Sequence, residues 1–164
     1  AIMEKTGHFN IKKAIKKHNA VLGGEMSGHI FINHEWYGFD DAIYTAAILA
    51  QIISDDESSS SEVINKFPKT FSTPELNLDV SDDEKFKMVE QFKSEMSFPN
   101  SELNTIDGVR VTIGSAWGLV RASNTSPKLV FRFEAETEEE LKEIKELFLD
   151  NLKRIFPDLS LNFS

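Results

Sequence analysis

The chain has 164 residues, 40% hydrophobic and 27% charged, which is enough to bury one moderate core or two small ones and is unlike a disordered composition. A formal net charge of −9 argues against a nucleic-acid partner, and the absence of cysteine removes disulfides, thiolate metal sites and a cysteine nucleophile. No apolar run reaches the ~20 residues of a membrane span, and the N-terminus AIMEKTGHFN lacks a signal-peptide pattern, so a soluble, cytoplasmic protein with no membrane partner is expected.

In chain order, His8 to His18 reads as a helix with Ile11, Ala14 and Ile15 on one stripe and Lys12, Lys13, Lys16 and Lys17 facing water. Ala20-Val21-Leu22 reads as a short buried strand, Gly23 to His29 as a loop and Ile30-Phe31-Ile32 as a second strand. From Asp40, taken as the N-cap, a helix follows whose Ile43, Ala46, Ala47, Ile48, Leu49, Ala50, Ile52 and Ile53 leave hardly any polar face. Such a helix needs covering, and the few elements around it are too small for that, so residues 1–54 are expected to be an incomplete α/β domain. Residues 55–67 open with DDESSSSE and read as a solvated linker.

Residues 68–164 read as a complete α+β domain. Leu76, Leu78 and Val80 alternate in a strand, and Ser81 with Glu84 suggests a capping box opening a helix with Phe86, Val89, Phe92 and Met96 inward. Asp107-Gly108 is a two-residue hairpin signal between Leu103 to Ile106 and the alternating Val109, Val111 and Ile113. Further strands are expected at Trp117 to Arg121 and at Leu129, Phe131 and Phe133. Thr137 and Glu140 make a capping box for a last helix, with Leu141, Ile144, Leu147, Phe148, Leu152, Ile155 and Phe156 as its stripe and Pro157 as its stop. Short connections favour a four-stranded antiparallel sheet with both helices on one face.

Two segments hold chemistry. Arg121-Ala122-Ser123-Asn124-Thr125-Ser126-Pro127 combines a guanidinium, hydroxyls, an amide side chain and backbone N–H groups between two strands, which is a donor inventory for a phosphate. It also reads as an ordinary polar turn closed by proline. Gly24-Glu25-Met26-Ser27-Gly28-His29 places a carboxylate, a hydroxyl and an imidazole on a glycine-flanked turn, which suits adjacent sugar hydroxyls but equally describes a simple connection between strands. His8 opens a helix after Thr6-Gly7, and a helix N-terminus favours anions. Helix capping accounts for Asp40-Asp41 more simply than an acid/base dyad does. His18 and His34 carry no functional argument.

The segments KTGH, GGEMSGHIF, WYGFDDAIY, DGVRV, WGLVRASNTSP and RFEAETEEEL follow one another in an order and at separations that resemble the bacterial phosphomannomutase/phosphoglucomutase family over nearly the whole chain. Phe9 and Asn10 depart from the family's pattern after TGH. The resemblance implies a hexose 1-phosphate to 6-phosphate interconversion through a phosphoserine and a bisphosphorylated sugar, assisted by Mg²⁺. It implies that the chain joins the end of the family's third domain to a fourth domain with a fold like that of the TATA-box-binding protein. In that reading Glu25 and Ser27 hold sugar hydroxyls, and His8 and His29 line the cleft. Arg121, Ser123, Asn124 and Thr125 clamp the non-reacting phosphate, and Gly118 lets the backbone approach it. The family's TASHNP-like serine segment and DGDGDR-like metal loop do not occur in this sequence. The expected partners are therefore a glucose or mannose phosphate and the upstream domains of the same protein; the Mg²⁺ ligands would lie in those domains, and the chain alone is expected to be inactive. The competing expectation is a noncatalytic module that binds phosphate or protein.

Overall fold

The computed structural model describes residues 1–159 and divides into two compact units, Ala1–Pro68 and Lys69 onward. The end of the second expected domain, residues 160–164, lies outside the described residues.

In the first unit α1 spans His8–His18 and ends where Asn19 turns left-handed (φ 48°). Strands β1 (Leu22–Gly24) and β2 (Ile30–Ile32) pair antiparallel, with Leu22 opposite Ile32 and Gly24 opposite Ile30. A Cβ on Gly23 would meet Ile11 Cγ2 at 2.7 Å, so the missing side chain is what lets α1 lie against β1. Ile15 and Phe31 are the buried hydrophobics of this unit. The strand expected at Ala20 to Leu22 starts only at Leu22, and Val21 and Leu22 stand 63% and 60% exposed instead of buried. Among the described residues β1 pairs on one side only, so the sheet is too narrow to enclose them.

Helix α2 (Ala42–Asp55) is capped by Asp41, whose side chain accepts from the Tyr44 amide, and not by Asp40. None of its residues is buried, and Ile43, Leu49 and Ile52 are 86%, 50% and 55% exposed. The expected linker contains a further helix, α3 (Ser60–Asn65), opened by a reciprocal capping box between Ser59 and Glu62. Four consecutive serines suggest irregular chain, yet a serine three residues ahead of a glutamate satisfies two helix-end amides at once.

The second unit contains β3 (Phe71–Ser72), β4 (Leu76–Asp79), α4 (Lys85–Glu95), β5 (Glu102–Asn104), β6 (Val109–Ile113), β7 (Ala116–Ala122), β8 (Lys128–Ala135) and α5 (Glu138–Ile155). The sheet runs β3-β8-β7-β6-β5, every pairing is antiparallel, and β4 also pairs with β8. The four expected main strands are thus joined by two short ones. β3 and β4 flank β8 at opposite ends of its length, separated by Pro74, which has no amide for the ladder. At that break Thr73 takes over, its amide donating to Phe133 O and its hydroxyl accepting from Phe133 N.

Both helices pack on one face of this sheet. Val89 and Phe92 from α4 and Ile144, Phe148, Leu152 and Ile155 from α5 share one core with Val109, Val111, Val120, Phe131 and Phe133. Phe148 sits at its centre, 5.8 Å from the Phe92 ring, 4.9 Å from Phe98 and 5.2 Å edge-on to Phe133. Leu147, expected in the stripe of α5, is 38% exposed, and Phe86, expected to face inward from α4, is 56% exposed. At the entrance to α4 the expected capping box is not formed, because Ser81 Oγ donates to the Glu84 carboxylate and caps no amide. The Thr137–Glu140 box does form and opens α5. Asp107-Gly108 lies within a longer connection, since Asn104 is opposite Arg110; the two-residue turn of this sheet is Gly114-Ser115.

Candidate functional site

The predicted site residues fall into both units, and each group is described by itself. In the first unit the Glu25–His29 turn is closed by Glu25 N donating to His29 O (2.9 Å) and Gly28 N to Glu25 O (3.0 Å), with Gly28 at φ 91°. This leaves Ser27 exposed at the tip. Glu25 reaches back to α1, where its Oε1 accepts the Gly7 amide at 2.6 Å. A carboxylate is favoured there by the helix dipole, and α1 has no side-chain cap of its own. The bond holds the turn beside His8, the exposed first residue of α1. Glu25 Oε2 has no hydrogen-bond partner among the described residues.

His29 is not alone. Its Nδ1 lies 2.6 Å from Asp40 Oδ2, and Asp40 sits beside β2 through a bridge to Phe31. Capping was expected to explain both aspartates, but it uses only Asp41, which accepts from the Tyr44 amide and from Trp36 Nε1. Asp40 is free to hold the imidazole. A carboxylate on one ring nitrogen fixes the orientation of the ring and leaves Nε2 for chemistry. The spacing of His29 and Asp40 in the sequence gives no sign of this pairing, which depends on how β2 leads into α2.

In the second unit β7 alternates strictly. Ala116, Gly118, Val120 and Ala122 are buried under the helices, and Trp117, Leu119 and Arg121 take the other face. Gly118 therefore points away from Arg121 and into the core. A Cβ there would meet Phe148 Cε2 at 2.5 Å and Phe133 Cδ1 at 2.8 Å. This corrects the role expected for Gly118: its missing side chain makes room for two phenylalanine rings, not for a ligand.

On the open face Arg110 and Arg132 flank Leu119 in register, with Arg121 one pleat further along β7. The Arg110 guanidinium lies 4.4 Å from the centre of the Trp117 ring. These two flanking arginines lie in the DGVRV and RFEAETEEEL segments, whose sequence gives no sign that they share a face. They make this face locally basic in an acidic protein, which the overall charge conceals. Among the described residues the Arg121 guanidinium has no hydrogen-bond or ion-pair partner.

The loop between β7 and β8 folds on Ser123. Ser123 Oγ accepts from the amides of Thr125 (3.3 Å) and Ser126 (3.1 Å), while Ser123 N donates to Lys128 O (2.9 Å). Two of the turn amides counted as phosphate donors are thereby engaged inside the loop. With both lone pairs of its oxygen occupied, the Ser123 hydroxyl can still donate its proton outward. Asn124 and Thr125 are exposed beside it. The structure thus brings Arg121, Ser123, Asn124 and Thr125 together on one short turn. Among the described residues there is no group of three or more His, Asp or Glu side chains able to hold a metal ion, and no described helix is long and apolar enough to cross a membrane.

Residues 1–71 match the model of phosphoglucomutase/phosphomannomutase, alpha/beta/alpha domain III, and residues 75–151 match that of the phosphoglucomutase/phosphomannomutase C-terminal domain. The chain is 50% identical to a phosphomannomutase/phosphoglucomutase of Pseudomonas putida over 99% of its length and 35% of the relative's. It is 45% identical to a phosphoglucomutase of Neisseria meningitidis over 90% of its length and 32% of that protein's. Among solved structures, a phosphoglucomutase/phosphomannomutase family protein of Burkholderia thailandensis superposes with a TM-score of 0.91 at 39% identity, over 99% of this chain and 34% of that one. The chain thus spans about a third of the length of the relatives it matches. With two successive domains matched in order across nearly the whole sequence, the chain belongs to the phosphoglucomutase/phosphomannomutase family.

Proposed function

We propose that this chain supplies sugar-hydroxyl and phosphate binding to a phosphohexomutase that interconverts hexose 1-phosphates and 6-phosphates, and that it has no turnover by itself. The observation that carries this reading is the Ser123 hydroxyl, saturated as an acceptor by two amides and so left as a donor two residues from Arg121, whose guanidinium has no partner among the described residues. That combination suits an oxyanion and repels a cation. Arg121 grips two phosphate oxygens in a forked contact, and Ser123, Asn124 and Thr125 donate to the remaining ones. In the first unit Glu25 Oε2 accepts from a sugar hydroxyl while Oε1 stays on Gly7, and Ser27 contacts a neighbouring hydroxyl. His8 and His29 line the same region, His29 held by Asp40 so that Nε2 can take or give a proton at a hydroxyl. The family resemblance brings Mg²⁺ to the phosphoryl transfer. The residues described here do not assemble a site for it, and no role proposed for them passes through the ion.

Titration of the ¹⁵N-labelled chain with glucose 1-phosphate tests the binding half of this reading. The amides of Arg121 to Thr125 are expected to shift first and to saturate. Arg121→Ala removes charge-assisted hydrogen bonds and is expected to weaken binding about ten- to a hundredfold. Saturable shifts elsewhere with the loop unmoved would overturn the assignment. For turnover, a coupled assay of glucose 1-phosphate conversion by the pure chain is expected to stay at background, and steady product formation would contradict the proposal.

A further inference from the structure

The turn at 121–127 rests on a cation contributed by another element. Lys85, the first residue of α4, is only 3% exposed, although lysine normally keeps its ammonium in water. Its Nζ donates to Ser126 O at 3.0 Å and pairs with Asp82 Oδ1 at 2.6 Å. Asp82 is itself 72% exposed, so the carboxylate end of the pair faces solvent and the ammonium end lies under the loop. Ser126 O also accepts the Lys128 amide at 2.9 Å, which makes this carbonyl the point where the loop turns back into β8. The same residue donates its amide to Ser123 Oγ. One continuous set of bonds therefore runs from Lys85 Nζ to Ser126 O, across that residue to its amide, and on to the Ser123 hydroxyl. No described side chain other than Asp82 offers a negative charge to this ammonium.

A methionine would fill nearly the same volume without the desolvation cost of a buried cation, so packing alone gives no reason for lysine here. We propose that Lys85 is a positioning residue for anion binding. It fixes Ser126 so that Ser123 Oγ stays saturated as an acceptor, and it places a positive charge behind the turn that faces the phosphate. The proposal rests on the phosphate reading of Arg121 to Thr125 and deepens it.

The test compares the wild-type chain with Lys85→Met, Lys85→Arg, Asp82→Asn and Asp83→Asn. Two quantities are measured: amide hydrogen exchange at Thr125 and Ser126 without ligand, and the Kd for inorganic phosphate from NMR shifts. In Lys85→Met the two amides are expected to exchange about tenfold faster and phosphate to bind several-fold more weakly, because a hydrogen bond from a charged donor is lost. Lys85→Arg should restore much of the exchange protection. Asp82→Asn should leave exchange unchanged and tighten phosphate about two- to threefold, since it removes the carboxylate that offsets the ammonium, whereas Asp83→Asn should not. Unchanged exchange in a folded Lys85→Met would overturn the proposal. If that variant does not fold, equal phosphate affinity in Asp82→Asn and Asp83→Asn would overturn it instead. Because the exchange comparison uses no ligand, it separates failure of the lysine's role from failure of the phosphate reading.

Discussion

Gly108 adopts φ 79°, and a Cβ there would lie 2.2 Å from Val120 O and 2.6 Å from Arg121 Cβ. The turn before β6 is thus pressed against the root of the candidate phosphate ligand. Gly108→Ala combines a left-handed backbone strain with a backbone clash and is expected to cost about 2–4 kcal/mol in denaturant unfolding, with the Arg121 amide resonance displaced. Gly118→Ala should cost about 1–3 kcal/mol by overpacking against Phe148 and Phe133, yet leave phosphate affinity of the folded fraction unchanged. An affinity loss in Gly118→Ala at intact fold would return that residue to the site. These two glycines also mark how far single residues could be read in advance. RASNT and GEMSGH can be singled out because they stand in an order and at a separation that resemble one family; their polar groups alone also fit ordinary turns. The part of Gly118 was not legible, because a glycine near a polar turn looks alike whether it faces ligand or core, and only the parity of β7 decides. Asp40 and Asp41 pose the same difficulty, being adjacent and identical in chemistry, one capping α2 and the other gripping His29.

Among elements, α5 was the most legible, since its period, its capping box and its proline stop agree with one another. The box also connects to the sheet, because Glu140 Oε1 accepts from Ser115 Oγ at 2.9 Å in the Gly114-Ser115 turn. That hydrogen bond, followed by those from Thr137, holds the Glu140 carboxyl below its ordinary value of 4.5 against some opposing burial. A carboxylate with a lowered folded-state pKa contributes stability above its unfolded pKa and loses it as pH falls through the folded value. The melting temperature of the wild type should therefore fall below about pH 4.5 more steeply than that of Glu140→Gln, with the two curves converging in acid. Parallel curves over that range would remove Glu140 from the acid response. The start of α4 was read less well. A hydropathy stripe assigns Phe86 to the core and is silent on Lys85, yet Phe86 is 56% exposed and Lys85 is the buried residue, because its ammonium finds a carbonyl and a carboxylate. Periodicity counts apolar atoms and carries no information on a buried charge with partners.

For the molecule as a whole, the two units differ in how much they enclose. Among the described residues Ile15 and Phe31 are the buried hydrophobics of the first, while the second assembles an aromatic core around Phe148. Amides of α2 are accordingly expected to exchange with solvent orders of magnitude faster than those of the α5 segment around Phe148, and to lose protection at lower denaturant. Coincident loss in both units would show that they stabilise one another. The bareness of α2 was legible in its composition, since a helix apolar on every side needs neighbours that this chain does not supply among the described residues. The strict alternation of β7 has a consequence for the way such a chain can change over generations. Arg121 and Gly118 lie an odd number of positions apart, so one residue gained or lost between them would bring both to the same face, either driving the guanidinium beneath α5 or turning the gap for Phe148 toward solvent. Length variation between relatives should therefore accumulate in exposed turns and be purged from this strand, where a change in count acts more severely than almost any change in kind.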